Sequence, residues 1–154
     1  MPTLVEASST RELDLVRSLF VEYQRAIAID LSFQMFEDEL RALPGAYAPP
    51  RGRLLVAFEG VEAAGCGALR PLAPEIGELK RMWVRPPFRG RGIGRLVAEA
   101  LVAAARAEGY RVLRLDTLGS MREARSLYRS LGFREIPAYY ENPLPDTIYM
   151  ELAL

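Results

Sequence analysis

The chain contains no histidine and only one cysteine, Cys66. Without an imidazole the Ser-His and Cys-His nucleophilic mechanisms are excluded, so any proton transfer must use a carboxylate, tyrosine, lysine or cysteine. A lone cysteine cannot form an internal disulfide, and without histidine it cannot build a thiolate or imidazole metal site. We therefore expect no metal, and we interpret Cys66, within AAGCGAL, as a small buried apolar residue.

The sequence also lacks long apolar runs and any excess of charge. No apolar run reaches the ~20 residues that a membrane span requires, and the N-terminus has no basic stretch followed by an apolar segment. The 20 basic residues balance the 20 acidic ones, so the net charge indicates no polyanionic partner. The length suits one domain, residues 1–154. We expect a soluble cytoplasmic protein with no membrane partner.

Apolar periodicity and turn signals predict a mixed α/β arrangement in the order β-α-α-β-β-β-α-β-α-β-β. Two capping-box patterns, Ser9 with Glu12 and Ser120 with Glu123, predict the starts of the first and last helices. The predicted strands cover 4–7, the two arms of a hairpin around Glu59-Gly60, 76–84, 111–117, 133–136 and 147–154. The predicted helices cover 10–29, 32–43, the stretch from 93 closed by Gly109, and the stretch from 120 ended by Gly132.

Glycine and arginine alternate directly before the predicted third helix. A helix N-terminus exposes unbonded N–H groups and about half a positive charge, and glycines let that backbone approach an anion closely. The basic residues between positions 80 and 95, with no acid among them, are Lys80, Arg81, Arg85, Arg89, Arg91 and Arg95. These features predict a phosphate-binding turn. The alternative is a solvated basic turn in which the glycines serve only as hinges.

The common phosphate-binding motifs do not match this turn. It lacks the Gly-Lys-Ser/Thr of a P-loop, and the third glycine of a dinucleotide fingerprint falls on Arg95. The pattern (Arg or Gln)-x-x-Gly-x-(Gly or Ala), here RGRGIG, does match, and it resembles the acyl-coenzyme A loop of the GNAT superfamily of N-acetyltransferases. ELKRMWV resembles that family's central strand, and ARSLYRSLGF resembles its later helix and turn.

The resemblance implies a fold and an activity. The fold is a mixed central sheet of about seven strands flanked by about four helices. The activity is transfer of an acetyl group from acetyl-CoA to a primary amine, which we interpret as the amine of a small molecule. A homodimer is an expectation at the level of the fold only.

The resemblance also implies a role for particular residues. The loop amides that would hold the coenzyme A pyrophosphate belong to Arg89, Gly90, Arg91, Gly92, Ile93, Gly94 and Arg95, and the backbone that would bind the pantetheine arm belongs to Met82, Trp83 and Val84. Glu78, eleven residues before Arg89, matches the general base, and Tyr128 matches the tyrosine that protonates the departing thiolate. Met121 stands where many relatives carry asparagine.

Each of these catalytic assignments has an alternative. Glu78 could be a solvated edge charge or a partner of Arg81, and Tyr128 could be a core residue. The acceptor pocket is expected between the first two helices, at about residues 27–33, and in the late loop from Tyr139 to Asn142. There Tyr139 and Tyr140 could bind a cationic amine, or they could equally be loop packing.

Two other functions stay open from the sequence. One is a coenzyme A-binding regulator without catalysis. The other, which we do not favour because the net charge is zero, is a nucleic-acid-binding module that uses Trp83 and Phe88 as stacking groups.

Overall fold

The computed structural model describes residues 1–27 and 35–154. The elements follow the predicted order, and the structure confirms the mixed α/β fold class. The strands are β1 (Pro2–Glu6), β2 (Arg53–Glu59), β3 (Glu62–Ala73), β4 (Ile76–Val84), β5 (Val112–Leu118), β6 (Arg134–Ile136) and β7 (Thr147–Ala153). The helices are α1 (Thr10–Ile27), α2 (Phe36–Ala42), α3 (Ile93–Ala107) and α4 (Arg122–Ser130).

The seven strands form one sheet in the order β1-β2-β3-β4-β5-β7-β6. Every pair is antiparallel except β4 with β5, which is parallel and covers only 76–78 against 112–114. A bulge in β4 sets Arg81 and Met82 opposite the single residue Gly67, and Arg81 has a φ of 59°. Since a bulge bends its strand, β4 separates from β5 beyond Glu78.

The sheet has a hydrophobic core on each face. One core contains buried residues of α3 together with Leu79 of β4 and Leu113 of β5. The other contains residues of α1 and α2 packed against β2, β3 and Trp83. Cys66 lies in this second core, and its Sγ donates to the carbonyl of Arg81 at 3.4 Å. The interpretation of Cys66 as a buried apolar residue is confirmed.

The two predicted capping boxes have opposite outcomes. At α1 the Ser9 hydroxyl accepts from the Glu12 amide, and the Glu12 carboxylate accepts from the Ser9 amide, both at 3.1 Å. At α4 the prediction is wrong, because the capping position is Met121 and no side chain caps the helix. The amide of Ser120 donates instead to the Asp146 carboxylate at 3.2 Å. The segment before this helix is therefore held by a residue 26 positions later in the sequence.

Element bounds shift by a few residues from the predictions. β1 covers Pro2–Glu6, where the prediction was 4–7. The last strand ends at Ala153, one residue before the predicted end. The predicted ends of the first two helices at 28–29 and 32–34 lie outside the described residues. Gly109 and Gly132 follow α3 and α4 with φ of 85° and 101°, as the helix-ending predictions require. Within the part of the chain described, no helix is both long and apolar enough to span a membrane.

Candidate active site

A cleft of about 510 Å³ opens where β4 and β5 separate. Its walls come from the end of β4, the glycine-arginine turn, the second half of β5 and the first two turns of α4. The cleft exists because strand pairing stops at Glu78 and Arg114 while both strands continue. Among the described residues, no strand pairs with the β5-facing edge of β4 beyond Glu78.

The glycine-arginine turn forms the mouth of the cleft at the start of α3. Gly90 and Gly92 have φ of 79° and 78°, a conformation that favours glycine, and a Cβ added at either would meet nothing within 4 Å. The first amide with a helical partner is that of Leu96, which donates to the Gly92 carbonyl at 3.0 Å. Among the described residues, none accepts a hydrogen bond from the amides of residues 90–95. Consecutive free N–H groups at a helix N-terminus are an anion-binding arrangement.

The positive charge at this turn is smaller than the sequence suggested. Arg81 forms a bidentate pair with Glu39 on α2 at 2.9 Å, and Arg85 pairs with Glu22 on α1 at 2.7 Å. Both arginines are therefore neutralised on the α1/α2 side of the sheet. The prediction that all six basic residues contribute positive charge at one helix mouth is therefore wrong for Arg81 and Arg85. Their acidic partners lie far away in sequence.

Three arginines do stay at the turn. The guanidinium of Arg89 lies 4.9 Å from the Trp83 ring centroid, and its Nε donates to the Val84 carbonyl at 3.0 Å. The guanidinium of Arg91 lies 5.5 Å from the Phe88 ring. Arg95 donates to the Ser130 hydroxyl at 2.6 Å. Together with the free amides, these side chains make the mouth electropositive.

The end of β4 lines the cleft with Met82, Trp83 and Val84. Trp83 is only 9% exposed, its indole N–H donates to Glu22 at 3.3 Å, and its ring meets Tyr23 edge-on. A buried indole has no free face for a nucleic-acid base, so the stacking role weighed for Trp83 has no support in this geometry.

Tyr128 lies on the wall that α4 contributes to the cleft. It is 5% exposed and packs edge-on against Phe133. Burial, followed by the charges of Tyr23 and Asp116, raises the pKa of its hydroxyl. No described residue exchanges a hydrogen bond with that hydroxyl, which leaves its O–H available to a group bound in the cleft. Met121 lines the same wall and presents a thioether at the position where many relatives carry the side-chain amide of asparagine.

Glu78 is 1% exposed and does not border the cleft. One carboxylate oxygen accepts from Arg70 Nε at 2.8 Å, and the other accepts from the Tyr139 hydroxyl at 2.6 Å. The alternative of a solvated edge charge is therefore wrong. The alternative partner is also wrong, because Arg81 pairs with Glu39.

The late loop places its tyrosines against the two carboxylates of this region. Tyr139, Tyr140 and Tyr149 pack edge-on with ring centroids 5.3 to 5.5 Å apart. Tyr139 donates to Glu78, Tyr140 donates to Asp116 in a short hydrogen bond, and neither tyrosine borders the cleft. This geometry favours packing and positioning over direct contact with an acceptor. The other expected part of the acceptor pocket, at 28–33, lies outside the described residues.

The comparisons with known proteins agree with this geometry. The model of the acetyltransferase (GNAT) family matches residues 13–133, which is most of the chain. The chain belongs to the GNAT family. The sequence-based identification is confirmed, and the protein is an N-acetyltransferase of this family, whose members generally use acetyl-CoA as cosubstrate.

Named relatives place this GNAT enzyme among N-acetyltransferases. An uncharacterized N-acetyltransferase of Schizosaccharomyces pombe is 38% identical over 146 residues, covering 94% of this chain and 90% of its own. An acetyltransferase structure from Streptococcus agalactiae has a TM-score of 0.82 at 22% identity, with 99% and 98% coverage. The ribosomal-protein-S18-alanine N-acetyltransferase structure of Escherichia coli has a TM-score of 0.73 at 24% identity, with 99% and 94% coverage. The two structures show the shared fold alone.

Among the cleft residues of this GNAT enzyme that sequence reasoning missed is Asp116 on β5. It is half-buried and borders the cleft. The available signal was an acid in the middle of a strand, in the segment RLDTL. Within the described residues, no group of three or more histidine, cysteine or acidic side chains is arranged to hold a metal ion.

Proposed function

We propose that the protein transfers the acetyl group of acetyl-CoA to the primary amine of a small molecule by direct attack in a ternary complex. The observation that carries this proposal is the row of free amides at 90–95, at the mouth of a cleft whose far wall carries the Tyr128 hydroxyl. This arrangement joins a site for two linked phosphates to a proton donor near the point where β4 and β5 separate.

Acetyl-CoA binding is assigned to the turn and to the free edge of β4. The amides at 90–95, with Arg89, Arg91 and Arg95, would hold the pyrophosphate, and the backbone of Met82–Val84 would bind the pantetheine arm as an added strand does. A charge-assisted hydrogen bond contributes about 1.5 to 3 kcal/mol. Four or five of them would support micromolar affinity, about 8 kcal/mol, after the costs of association.

The chemical step needs a proton acceptor and a proton donor. An amine with a pKa near ~10.4 is almost wholly protonated at neutral pH, so it must lose a proton before its nitrogen attacks the acetyl carbonyl. The nitrogen–carbon bond forms, the carbon–sulfur bond breaks, and the sulfur receives a proton. Backbone N–H groups near Val84 would stabilise the oxyanion.

Tyr128 is proposed as the donor to sulfur. Its raised pKa keeps it protonated at neutral pH, and the same burial would raise the pKa of a thiol formed beside it. The resemblance assigns the acceptor role to Glu78, and both oxygens of Glu78 already accept hydrogen bonds. A proton could then reach Glu78 from the cleft only through an intervening water or side chain.

The test is an acetylation panel of amino acids, polyamines, aminoglycosides, peptide N-termini and lysine peptides, read by mass spectrometry and by release of the coenzyme A thiol. We expect transfer to at least one small amine, and at least a tenfold loss of kcat in Tyr128→Phe with unchanged acetyl-CoA affinity. Binding of acetyl-CoA without acetylation of any amine in the panel would favour the alternative of a non-catalytic coenzyme A-binding regulator. Tight, salt-dependent RNA retention that acetyl-CoA cannot displace would favour the nucleic-acid-binding module. Cytoplasmic location and a homodimer stay predictions.

A further inference from the structure

The register of β4 and β5 identifies which side chains border the opening between them. The last paired residues are Glu78 and Arg114, whose side chains lie on the α1/α2 face of the sheet. The next residues on that face are two positions further along each strand, Lys80 on β4 and Asp116 on β5. Both line the cleft, whereas Glu78 does not. Asp116 is thus the carboxylate that borders the opening on the α1/α2 face of the sheet, whereas Glu123, the other acid that lines the cleft, lies in the first turn of α4.

We infer that Asp116 binds the ammonium group of the acceptor and takes up its proton. This role rests on the proposed function, because it requires that an amine is acetylated. The orientation of Asp116 follows from strand alternation. Leu113 and Leu115 point into the core beneath α3, so Asp116 points to the opposite face of the sheet, where α1 and α2 pack and where the acceptor is expected.

A chain of hydrogen bonds holds the Asp116 carboxylate in place. The hydroxyl of Tyr140 donates to Asp116 Oδ2, and the side-chain amide of Asn142 donates to that hydroxyl at 2.9 Å. A half-buried carboxylate that accepts a hydrogen bond from a fixed donor keeps its direction. Tyr140 and Asn142 are therefore positioning residues, and they explain why the late loop matters although it does not border the cleft.

Glu78 has a different role in this arrangement. Its charge is offset by Arg70, and its second oxygen accepts from Tyr139, the neighbour of Tyr140. It therefore anchors the loop that positions Asp116. Both carboxylates serve the acceptor side, but only Asp116 touches the amine.

The proton and bond balance closes with the groups present. The ammonium gives one proton to the Asp116 carboxylate, and the nitrogen lone pair forms the bond to the acetyl carbon. The carbon–sulfur bond breaks, and sulfur takes the Tyr128 proton. Afterwards solvent returns one proton to Tyr128. Asp116 and the acetylated nitrogen each release one proton to solvent, so one proton is released per turnover in total.

The experiment compares Asp116→Asn with the unmutated protein on the amines that the panel identifies. Removing a general base costs about 10²- to 10⁴-fold, so we expect kcat to fall at least 100-fold. The affinity for acetyl-CoA, measured by calorimetry, should stay within threefold because Asp116 does not touch the phosphate turn. In Asp116→Ala, added formate should raise kcat at least tenfold over the value without formate. A merely structural role of Asp116 would not allow this rescue.

A matched pair of tyrosine variants tests the positioning chain without altering the cleft. Tyr140→Phe removes the donor to Asp116, and we expect a loss of kcat of about fivefold or more. Tyr149→Phe removes a hydroxyl from the same ring cluster that donates to the Tyr140 carbonyl at 3.4 Å and not to Asp116, and its kcat should stay within twofold. This pair still tests the inference if Asp116→Asn does not fold.

Three outcomes overturn the role of Asp116. Activity of Asp116→Asn within threefold of the unmutated protein, with a large loss in Glu78→Gln, would make Glu78 the base. Equal kcat values for Tyr140→Phe and Tyr149→Phe would show that the hydrogen bond from Tyr140 does not position Asp116. Acetyl-CoA binding without acetylation of any amine by the unmutated protein would overturn the proposed function first and this role with it.

Discussion

At the residue scale, the site depends on how each buried charge is compensated. Glu78 is a fully buried carboxylate, and a buried carboxylate is tolerated only when it is paired and hydrogen-bonded. Arg70 and Tyr139 supply those partners from β3 and the late loop. The two partners therefore tie the central strand to the adjacent strand β3 and to a loop 61 residues later in the sequence.

We predict that Arg70→Ala lowers the free energy of unfolding by about 3 kcal/mol, because it leaves the Glu78 charge buried without its ion-pair partner. Urea denaturation measures the change. Arg41→Ala is the control, since its pair with Asp38 is exposed, and it should cost less than about 0.5 kcal/mol. The double variant Arg70→Ala with Glu78→Gln should be more stable than Arg70→Ala alone, and the opposite order would contradict this account.

At the scale of elements, the junction of β4 with α3 determines where the glycine-arginine turn lies. The prolines at 86 and 87 follow the end of β4 in a short 3-10 turn, and α3 begins seven residues after Pro86. Gly92 caps α3 in a left-handed conformation, whereas Gly94 lies in the first turn with ordinary φ. The two glycines therefore serve different purposes within one motif.

We predict that Gly92→Ala weakens acetyl-CoA binding at least tenfold, because a left-handed conformation costs an L-residue about 1 to 2 kcal/mol and the turn would relax out of it. Gly94→Ala should change the affinity by less than threefold, since its Cβ would make ordinary contacts, at 3.6 Å to Leu127 and 3.7 Å to Val84. Calorimetry with acetyl-CoA measures both. A larger loss in Gly94→Ala would show that the phosphates lie against that position instead.

Two cores, one on each face of a seven-stranded sheet, hold the molecule together at the largest scale. The tyrosines belong to both of them and to the late loop. Burial is the first cause of the raised pKa of every one of the seven: Tyr23, Tyr47, Tyr110, Tyr128, Tyr139, Tyr140 and Tyr149. The folded protein therefore holds its phenolic protons more tightly than the unfolded chain does.

This difference predicts how stability changes in alkali. Unfolded tyrosine has a pKa of about 10, and the folded values are higher, so the contribution to stability is complete below about pH 10 and is lost as the pH rises above it. Phenolate absorbance near 295 nm should therefore appear together with the loss of circular dichroism. Ionisation of most tyrosines near pH 10 in a protein that keeps its circular dichroism would contradict the prediction. A tryptophan fluorescence titration at the same pH values provides an independent readout of unfolding.

The sequence by itself determined the features that depend on neighbouring residues. The order of helices and strands, the α1 capping box and the helix-ending glycines all follow from local periodicity and backbone conformation. The glycine turn before α3 was also predictable, because its glycines and the helix start it precedes are contiguous, and its binding of phosphate stays a prediction. Glu78 and Tyr128 were singled out by resemblance, and their catalytic roles stay predictions.

Only the tertiary structure decided which charges are compensated and where the cleft opens. Arg81 pairs with Glu39 across 42 residues, Arg85 with Glu22 across 63, and Tyr140 with Asp116 across 24. These partners are set by how helices and loops pack on the sheet, which local patterns do not encode. The cleft follows from a bulge and from three paired positions between β4 and β5, so the importance of Asp116 appears only once that register is known.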